Sequence, residues 1–256
     1  MNGERKMATF LSLRPTGDGR PRRWTHLAAG KGFGGGFGSA STAKASSQAG
    51  AKSLAPMAKK KITFSLDEEE VDPGVVDGLE IVKYPHPALR AKNEEIREFS
   101  TEGVKRLVTR MFKLMYAAGG VGLAAPQVGI NKRLMVFNPS GRMRRKDSEM
   151  ILLNPQIVDQ SLQKDVMDEG CLSFPDMNGP VTRSMEITVQ YNTLDGKSTK
   201  RTLSGWEARI FQHEYDHIDG VVYIDRLPPE ARERVQPQLD RLVKDYEERT
   251  GKPGAL

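Results

Sequence analysis

The sequence is poor in cysteine and histidine, with a single cysteine, Cys171, and four histidines in 256 residues. One cysteine excludes an intramolecular disulfide framework and permits a reducing compartment. No stretch approaches the roughly 18–20 consecutive apolar residues that a membrane span needs. The 25 glycines and 15 prolines follow no triplet period, which excludes a collagen-like chain. No repeat of a supersecondary unit is visible. Acidic residues are scarce in one place only. Residues 1–61 hold 12 Lys or Arg against two acids, Glu4 and Asp18, a net +10; residues 62–256 hold 27 against 31, a net −4. The formal +6 is therefore the sum of a basic leader and a slightly acidic body, and the body's charge gives no reason to expect direct nucleic-acid binding.

The leader, residues 1–61, is rich in Arg, Ser, Ala and Gly. Its stretch Gly32–Phe33–Gly34–Gly35–Gly36–Phe37–Gly38 offers little to pack and much backbone entropy to lose. It lacks the apolar core of about 7–15 residues that marks a secretory signal, and an Arg- and Ser-rich, acid-poor composition is that of an organellar transit peptide. Residues 62–78, with Asp67 to Glu70 and Pro73-Gly74, read as a linker. The catalytic domain is expected over 79–248 and a flexible tail over 249–256.

Within the domain, Leu79–Lys83 reads as a short strand, closed by Pro85 and Pro87. Val104, Leu107, Val108, Met111, Phe112 and Met115 follow helical spacing and predict a helix over 100–118, ended by Gly119-Gly120. Strands are expected at Arg133–Asn138 and Met150–Asp159, with the basic run Arg142–Lys146 as a solvated loop between them. Met185, Ile187, Val189 and Tyr191 alternate with polar residues, and Asp195-Gly196 signals a hairpin turn into a strand at Thr199–Leu203. Ser204 and Glu207 have capping-box spacing, which predicts a helix from Gly205 through His217 with a stop at Gly220. A last helix runs from Pro229 to Arg249, where Pro237 is a candidate kink. Strands and helices are segregated, so the fold class is α+β.

The strongest chemical signal is His213-Glu214-Tyr215-Asp216-His217. On a helix, positions i and i+4 share a face, so both imidazoles can bind one metal ion, and Glu214 sits where a carboxylate can take a proton from water. A catalytic site wants a third protein ligand. The extended motif HExxHxxGxxH is excluded, because position 223 is Tyr. A downstream glutamate, Glu230 or Glu233, is one option, and would make the protein a metallopeptidase. Cys171 is the other. It lies in Glu169-Gly170-Cys171-Leu172-Ser173, read as a polar turn rather than an apolar run, which favours a ligand over an inert core thiol. The segment from Gly120 to Gly129 is rich in small residues and permits close backbone approach, but it is neither a dinucleotide fingerprint nor a phosphate loop.

Together, Gly120-Val121-Gly122-Leu123-Ala124-Ala125-Pro126-Gln127, Glu169–Ser173 and His213–His217 resemble the three motifs of peptide deformylase, in order and without a departure at a motif position. The resemblance covers about residues 79–245, and the leader and Gln212-His213-Glu214-Tyr215-Asp216-His217 are most similar to the plastid-directed, type 1B members. It implies antiparallel or mixed sheets around a central helix bearing the histidines, and a hydrolase that removes the formyl group from N-formyl-methionyl nascent peptides. By resemblance, Cys171, His213 and His217 hold one divalent metal ion, Fe(II) with Zn(II) or Ni(II) also suited to the donors. Glu214 is general base and acid; the Gln127 side chain and the Leu172 N–H form an oxyanion hole. Gly122 bonds the substrate backbone, and Val121, Trp206 and Ile210 line the methionine pocket. Glu169 and Arg183 form a buried pair supporting the cysteine. One departure is Asn178, where the family often has a basic residue that meets the peptide tail. The expected compartment is the plastid stroma, with the mitochondrion as alternative. A transient ribosome contact would fall to Arg142–Lys146. No membrane contact is expected, and the pattern sets no oligomeric state.

Overall fold

The structure is a computed structural model and describes residues 75–76, 78–143 and 145–256. The expected transit segment 1–61, and residues 62–74 of the expected linker, lie outside the described residues. Along the chain run β1 (Val75–Val76), β2 (Leu79–Glu80), α1 (Glu102–Ala117), β3 (Gly122–Ala124), β4 (Leu134–Phe137), β5 (Met150–Gln160), β6 (Lys164–Cys171), β7 (Phe174–Ser184), β8 (Glu186–Asn192), β9 (Ser198–Ser204), α2 (Gly205–Ile218) and α3 (Pro229–Thr250).

The strands form a five-stranded sheet in the order β3-β4-β5-β8-β9 and two separate hairpins, β1-β2 and β6-β7. The α+β expectation holds. Of the antiparallel or mixed sheets expected, the antiparallel form is observed: all named strand pairs are antiparallel, and among the described residues the parallel element is a single bridge, Glu94 to Lys132. Short turns join β1 to β2, β6 to β7 and β8 to β9, and such connections permit only antiparallel pairing. No helix among the described residues is long and apolar enough to cross a membrane.

α1 forms where its apolar stripe predicts. The Thr101 hydroxyl accepts from the Val104 N–H, and Val108, Met111, Phe112, Leu114 and Met115 are buried. α2 packs against β3, β4, β7, β8 and β9, so it lies between the large sheet and the β6-β7 hairpin. A second apolar cluster joins that hairpin to α3 through Phe174, Met177, Val181, Tyr223, Leu227, Val235 and Leu239.

Four expectations need correction. The strand expected over Leu79–Lys83 stops at Glu80, because the next N–H groups bond to two different elements: Val82 to Gln127 O at 2.9 Å and Tyr84 to Ser173 O at 3.0 Å. The capping box at Ser204 does not form. Ser204 stays paired to Glu186 in the sheet, Gly205 makes the strand-to-helix turn at φ +55°, and the Glu207 carboxylate accepts from Arg201 at 3.1 Å. Pro237 does not split α3, which is continuous over Pro229–Thr250; Pro237 and Glu233, whose carbonyl loses its partner there, are both on the exposed face. β6 and β7 were not anticipated as strands. They carry Gly170, Pro175, Asn178, Gly179 and Pro180, residues depleted in strands, and two of their inward positions, Glu169 and Arg183, are charged. Past α3, the Ala255 N–H donates to Pro85 O at 2.9 Å, which returns the chain end to the domain.

Candidate metal centre

α2 sets His213 and His217 one turn apart, each about 1% exposed, with ring centroids 5.3 Å from each other. The β6-β7 hairpin brings Cys171 to them. The ligand atoms of Cys171, His213 and His217 all lie within 4.8 Å of one another, and Cys171 Sγ is 3.2 Å from His217 Nε2. The reading of 169–173 as a polar turn is half right. Glu169, Gly170 and Cys171 close β6, Cys171 opposes Phe174, and only Leu172 and Ser173 form the turn. Cys171 is also buried in the cluster with Phe174 and Tyr223, so its ligand geometry is not visible from polarity alone. The glutamate alternatives are not brought to the histidines: Glu230 and Glu233 are exposed at the start of α3.

The donor set fits a divalent transition metal. Burial pushes the His217 ring well below its usual pKa, so it is neutral, the form that ligates. His213 Nδ1 lies 3.0 Å from Glu169 Oε2, which fixes the ring and commits the other nitrogen, Nε2, to the cluster. The His217 Nδ1 atom and both Glu214 carboxylate oxygens are buried with no hydrogen-bond partner among the described residues. Such groups need a ligand or ordered solvent to satisfy them.

Glu169 is the hub that holds this arrangement. It is fully buried and accepts from Arg183 Nε at 3.1 Å, Arg183 Nη2 at 2.9 Å and Arg209 Nη1 at 2.7 Å, besides its contact with His213. Burial alone would raise the Glu169 carboxyl, but the bonds from His213 and Arg183 outweigh it and hold the group well below the ordinary carboxylate range. Arg183 also pairs with Asp216, which in turn accepts from Arg226. Arg183 is therefore an interior residue, at 5% exposure.

Glu214 is fully buried beside the histidines, and burial pushes its carboxyl up to about 7, so it can gain and lose a proton near neutrality. Gly122 packs directly on it. A Cβ at position 122 would sit 2.4 Å from Glu214 Oε1, which gives that glycine a packing reason independent of any substrate. Gln127 is also fully buried. Its Oε1 accepts from the Ala124 N–H at 2.9 Å, which turns its Nε2 toward Cys171 Sγ at 3.4 Å and Ser173 Oγ at 3.5 Å. Leu172 follows Cys171 in the turn.

Of the expected pocket residues, Trp206 and Val121 are half-buried and lean on the same loop: Trp206 Nε1 donates to Pro139 O at 3.1 Å, and a Cβ at Gly141 would lie 3.3 Å from Val121. Ile210 is fully enclosed and packs as core. Asn178 is exposed opposite Gly170. Three residues were missed. Arg209 braces Glu169 and also bonds Val181 O and Asp165 O. Gln212 bonds both the N–H and the carbonyl of Ser184, which pins α2 to the end of β7. Lys83 reaches Leu172 O at 2.7 Å. The sequence did signal Arg209, which lies four residues before His213 and so shares its helix face.

The chain is similar to known proteins in sequence and in fold. A family model described as polypeptide deformylase matches residues 78–233. The chain is 45% identical over 175 residues to "Peptide deformylase 1B, chloroplastic/mitochondrial" of Arabidopsis thaliana, covering 68% of this chain and 63% of the relative. It is 43% identical to "Peptide deformylase 1B, chloroplastic" of Solanum lycopersicum, covering 68% and 62%. The match thus spans less than two thirds of those relatives' own length. A crystal structure of plant peptide deformylase PDF1B superposes with a TM-score of 0.67 at 44% identity, covering 70% of this chain and 97% of the other. A peptide deformylase from Plasmodium falciparum superposes at 0.65 and 42% identity, covering 68% and 100%. With the family model matched over more than half of its length, the chain belongs to the polypeptide deformylase family.

Proposed function

We propose that this chain hydrolyses the N-formyl group from the amino-terminal methionine of nascent, organelle-encoded polypeptides and releases formate. The observation that carries the reading is a single buried set: the three clustered ligand atoms of Cys171, His213 and His217, with Glu214 beside them and the Gln127 amide turned toward Cys171. A divalent ion held by those three residues, Fe(II) in the cell with Zn(II) or Ni(II) also accommodated, supplies Lewis acidity toward the formyl carbonyl and toward water.

The chain's own groups do the rest. Glu214 takes a proton from the attacking water on its carboxylate and returns it to the departing amine. Gln127 Nε2 and the Leu172 N–H donate to the oxygen on which negative charge develops; one such donor is worth on the order of 10²–10³ in rate. The Gly122 backbone meets the peptide. Val121 and Trp206 bound the methionine side chain, and Ile210 backs them from the core. Glu169, held by Arg183, keeps His213 in its ligating orientation. Exposed and uncharged, Asn178 leaves the peptide tail without a fixed cation, so selectivity rests on the first residue.

The relatives named chloroplastic support an organellar address, and we place the mature protein in the plastid stroma, with the mitochondrion as the alternative. Arg142–Lys146, in the loop between β4 and β5, serves as the contact for transient ribosome visits. Deleting its charges should weaken co-sedimentation with ribosomes, and unchanged co-sedimentation retires that contact. The function itself is tested by formate release from a formyl-methionyl dipeptide, using the full chain prepared without oxygen and supplied with Fe(II), Ni(II) or Zn(II). Release with at least one metal is expected, and none from the acetyl analogue. Absence of release with all three overturns the reading.

A further inference from the structure

Three consecutive residues after β2 reach two separate parts of the candidate site. The Val82 N–H donates to Gln127 O at 2.9 Å, Lys83 Nζ donates to Leu172 O at 2.7 Å, and the Tyr84 N–H donates to Ser173 O at 3.0 Å. Gln127 Nε2, 3.5 Å from Ser173 Oγ, closes the ring from the other side. Gln127 lies in the helical turn after β3, on the five-stranded sheet, whereas Leu172 and Ser173 form the turn of the β6-β7 hairpin. No shared sheet fixes the spacing between them. The segment Val82–Tyr84 spans that gap.

We infer that Lys83 is a positioning residue, whose ammonium holds the Leu172–Ser173 turn at the distance from Gln127 at which both oxyanion donors meet the same oxygen. For what those donors act on, this rests on the deformylase reading. Of the three links, only that of Lys83 is made by a side chain, and it is charge-assisted and short, the stronger kind of hydrogen bond. The other two are backbone bonds that a substitution leaves in place. Lys83 itself touches no ligand of the metal centre through a hydrogen bond; its partner is the carbonyl of the residue after Cys171. Donor placement matters in the transition state more than in substrate binding, so loosening this turn should act on kcat.

The test compares Lys83→Met and Lys83→Arg with the parent full chain, all loaded with the same metal and checked for equal metal content and thermal midpoint. Lys83→Met should lower kcat about tenfold or more, since misplacement by about an ångström costs up to about a hundredfold, while KM stays within about twofold. Lys83→Arg, which can still reach the carbonyl, should recover most of the loss. Amide hydrogen exchange should quicken at Leu172 and Ser173 in the Met variant and remain unchanged in β8 and β9. Unchanged kcat with unchanged exchange overturns the inference, as does a loss confined to KM, or a loss that merely follows a global fall in stability. If the parent chain releases no formate, the functional reading fails by itself, and local exchange at Leu172 and Ser173 still decides whether Lys83 holds the turn. Where Lys83→Met does not fold, Lys83→Gln is measured in its place.

Discussion

Two antiparallel hairpins pack against α2, and they are opposites. β8-β9 buries Ile187, Val189, Tyr191 and Leu203 on one face and exposes the alternate residues, as a half-buried hairpin should. It contributes no residue to the metal centre. β6-β7 turns Glu169, Cys171 and Arg183 inward along with Val181, and exposes Val166 on the other side. It supplies Cys171, one of the three clustered candidate ligands, and Glu169, the carboxylate that holds the His213 ring. The first hairpin is held by apolar burial, which tolerates small changes one at a time. The second is held in part by buried charge, where each group depends on its partner, so deletion of one partner exposes the full cost of the other.

The largest expected effect comes from removing the ligand that β6 delivers. Cys171→Ala should lower metal affinity at least about a hundredfold and abolish formate release; metal content after dialysis and turnover read the two separately. Retained metal and activity would place the third ligand elsewhere. Next is Arg183→Met, which leaves Asp216 with only the half-exposed Arg226 and Glu169 with Arg209 and His213 alone. It should destabilise the fold by about 3–5 kcal/mol in urea titration, and a loss under 1 kcal/mol would mean the network relaxes easily.

Acid should separate the hairpins too. The Glu169 carboxyl has a depressed pKa in the folded state, so its contribution is present above the ordinary carboxylate range and is lost as the pH falls below about 4 toward its folded pKa. Urea midpoints measured from pH 7 to pH 3 should fall, and Glu169→Gln should show a shallower fall. The smallest effect is expected from Ile187→Val in β8, about 1 kcal/mol at every pH, because it removes one buried methyl group and no charge.

The same contrast explains what the sequence disclosed. Helix α1, strand β8 and the histidine pair on α2 are legible because their residues repeat at the period of the structure that buries them; β4 and β5 open on short apolar runs, and β9 follows the Asp195-Gly196 turn. β6-β7 is not legible, since a charged residue facing inward looks the same in sequence as one facing water. Glu169 and Arg183 are paired only by the resemblance, and the one local signal for Arg209 is its place one turn before His213. The resemblance gives Gly122 a substrate contact; its packing on Glu214, 92 residues away, is a separate relation that no local pattern encodes. Lys83, read as the end of a strand, is 89 residues from the carbonyl it holds.

The central claim is that Glu214, buried and without a hydrogen-bond partner among the described residues, moves the proton while Cys171, His213 and His217 hold the metal. It is tested most directly by measuring metal stoichiometry and formate release together on Glu214→Ala. One metal ion per chain, as in the parent, and a kcat lower by at least about 10²-fold are expected. A variant that keeps its metal and turns over formyl-methionyl peptide at the parent rate contradicts it.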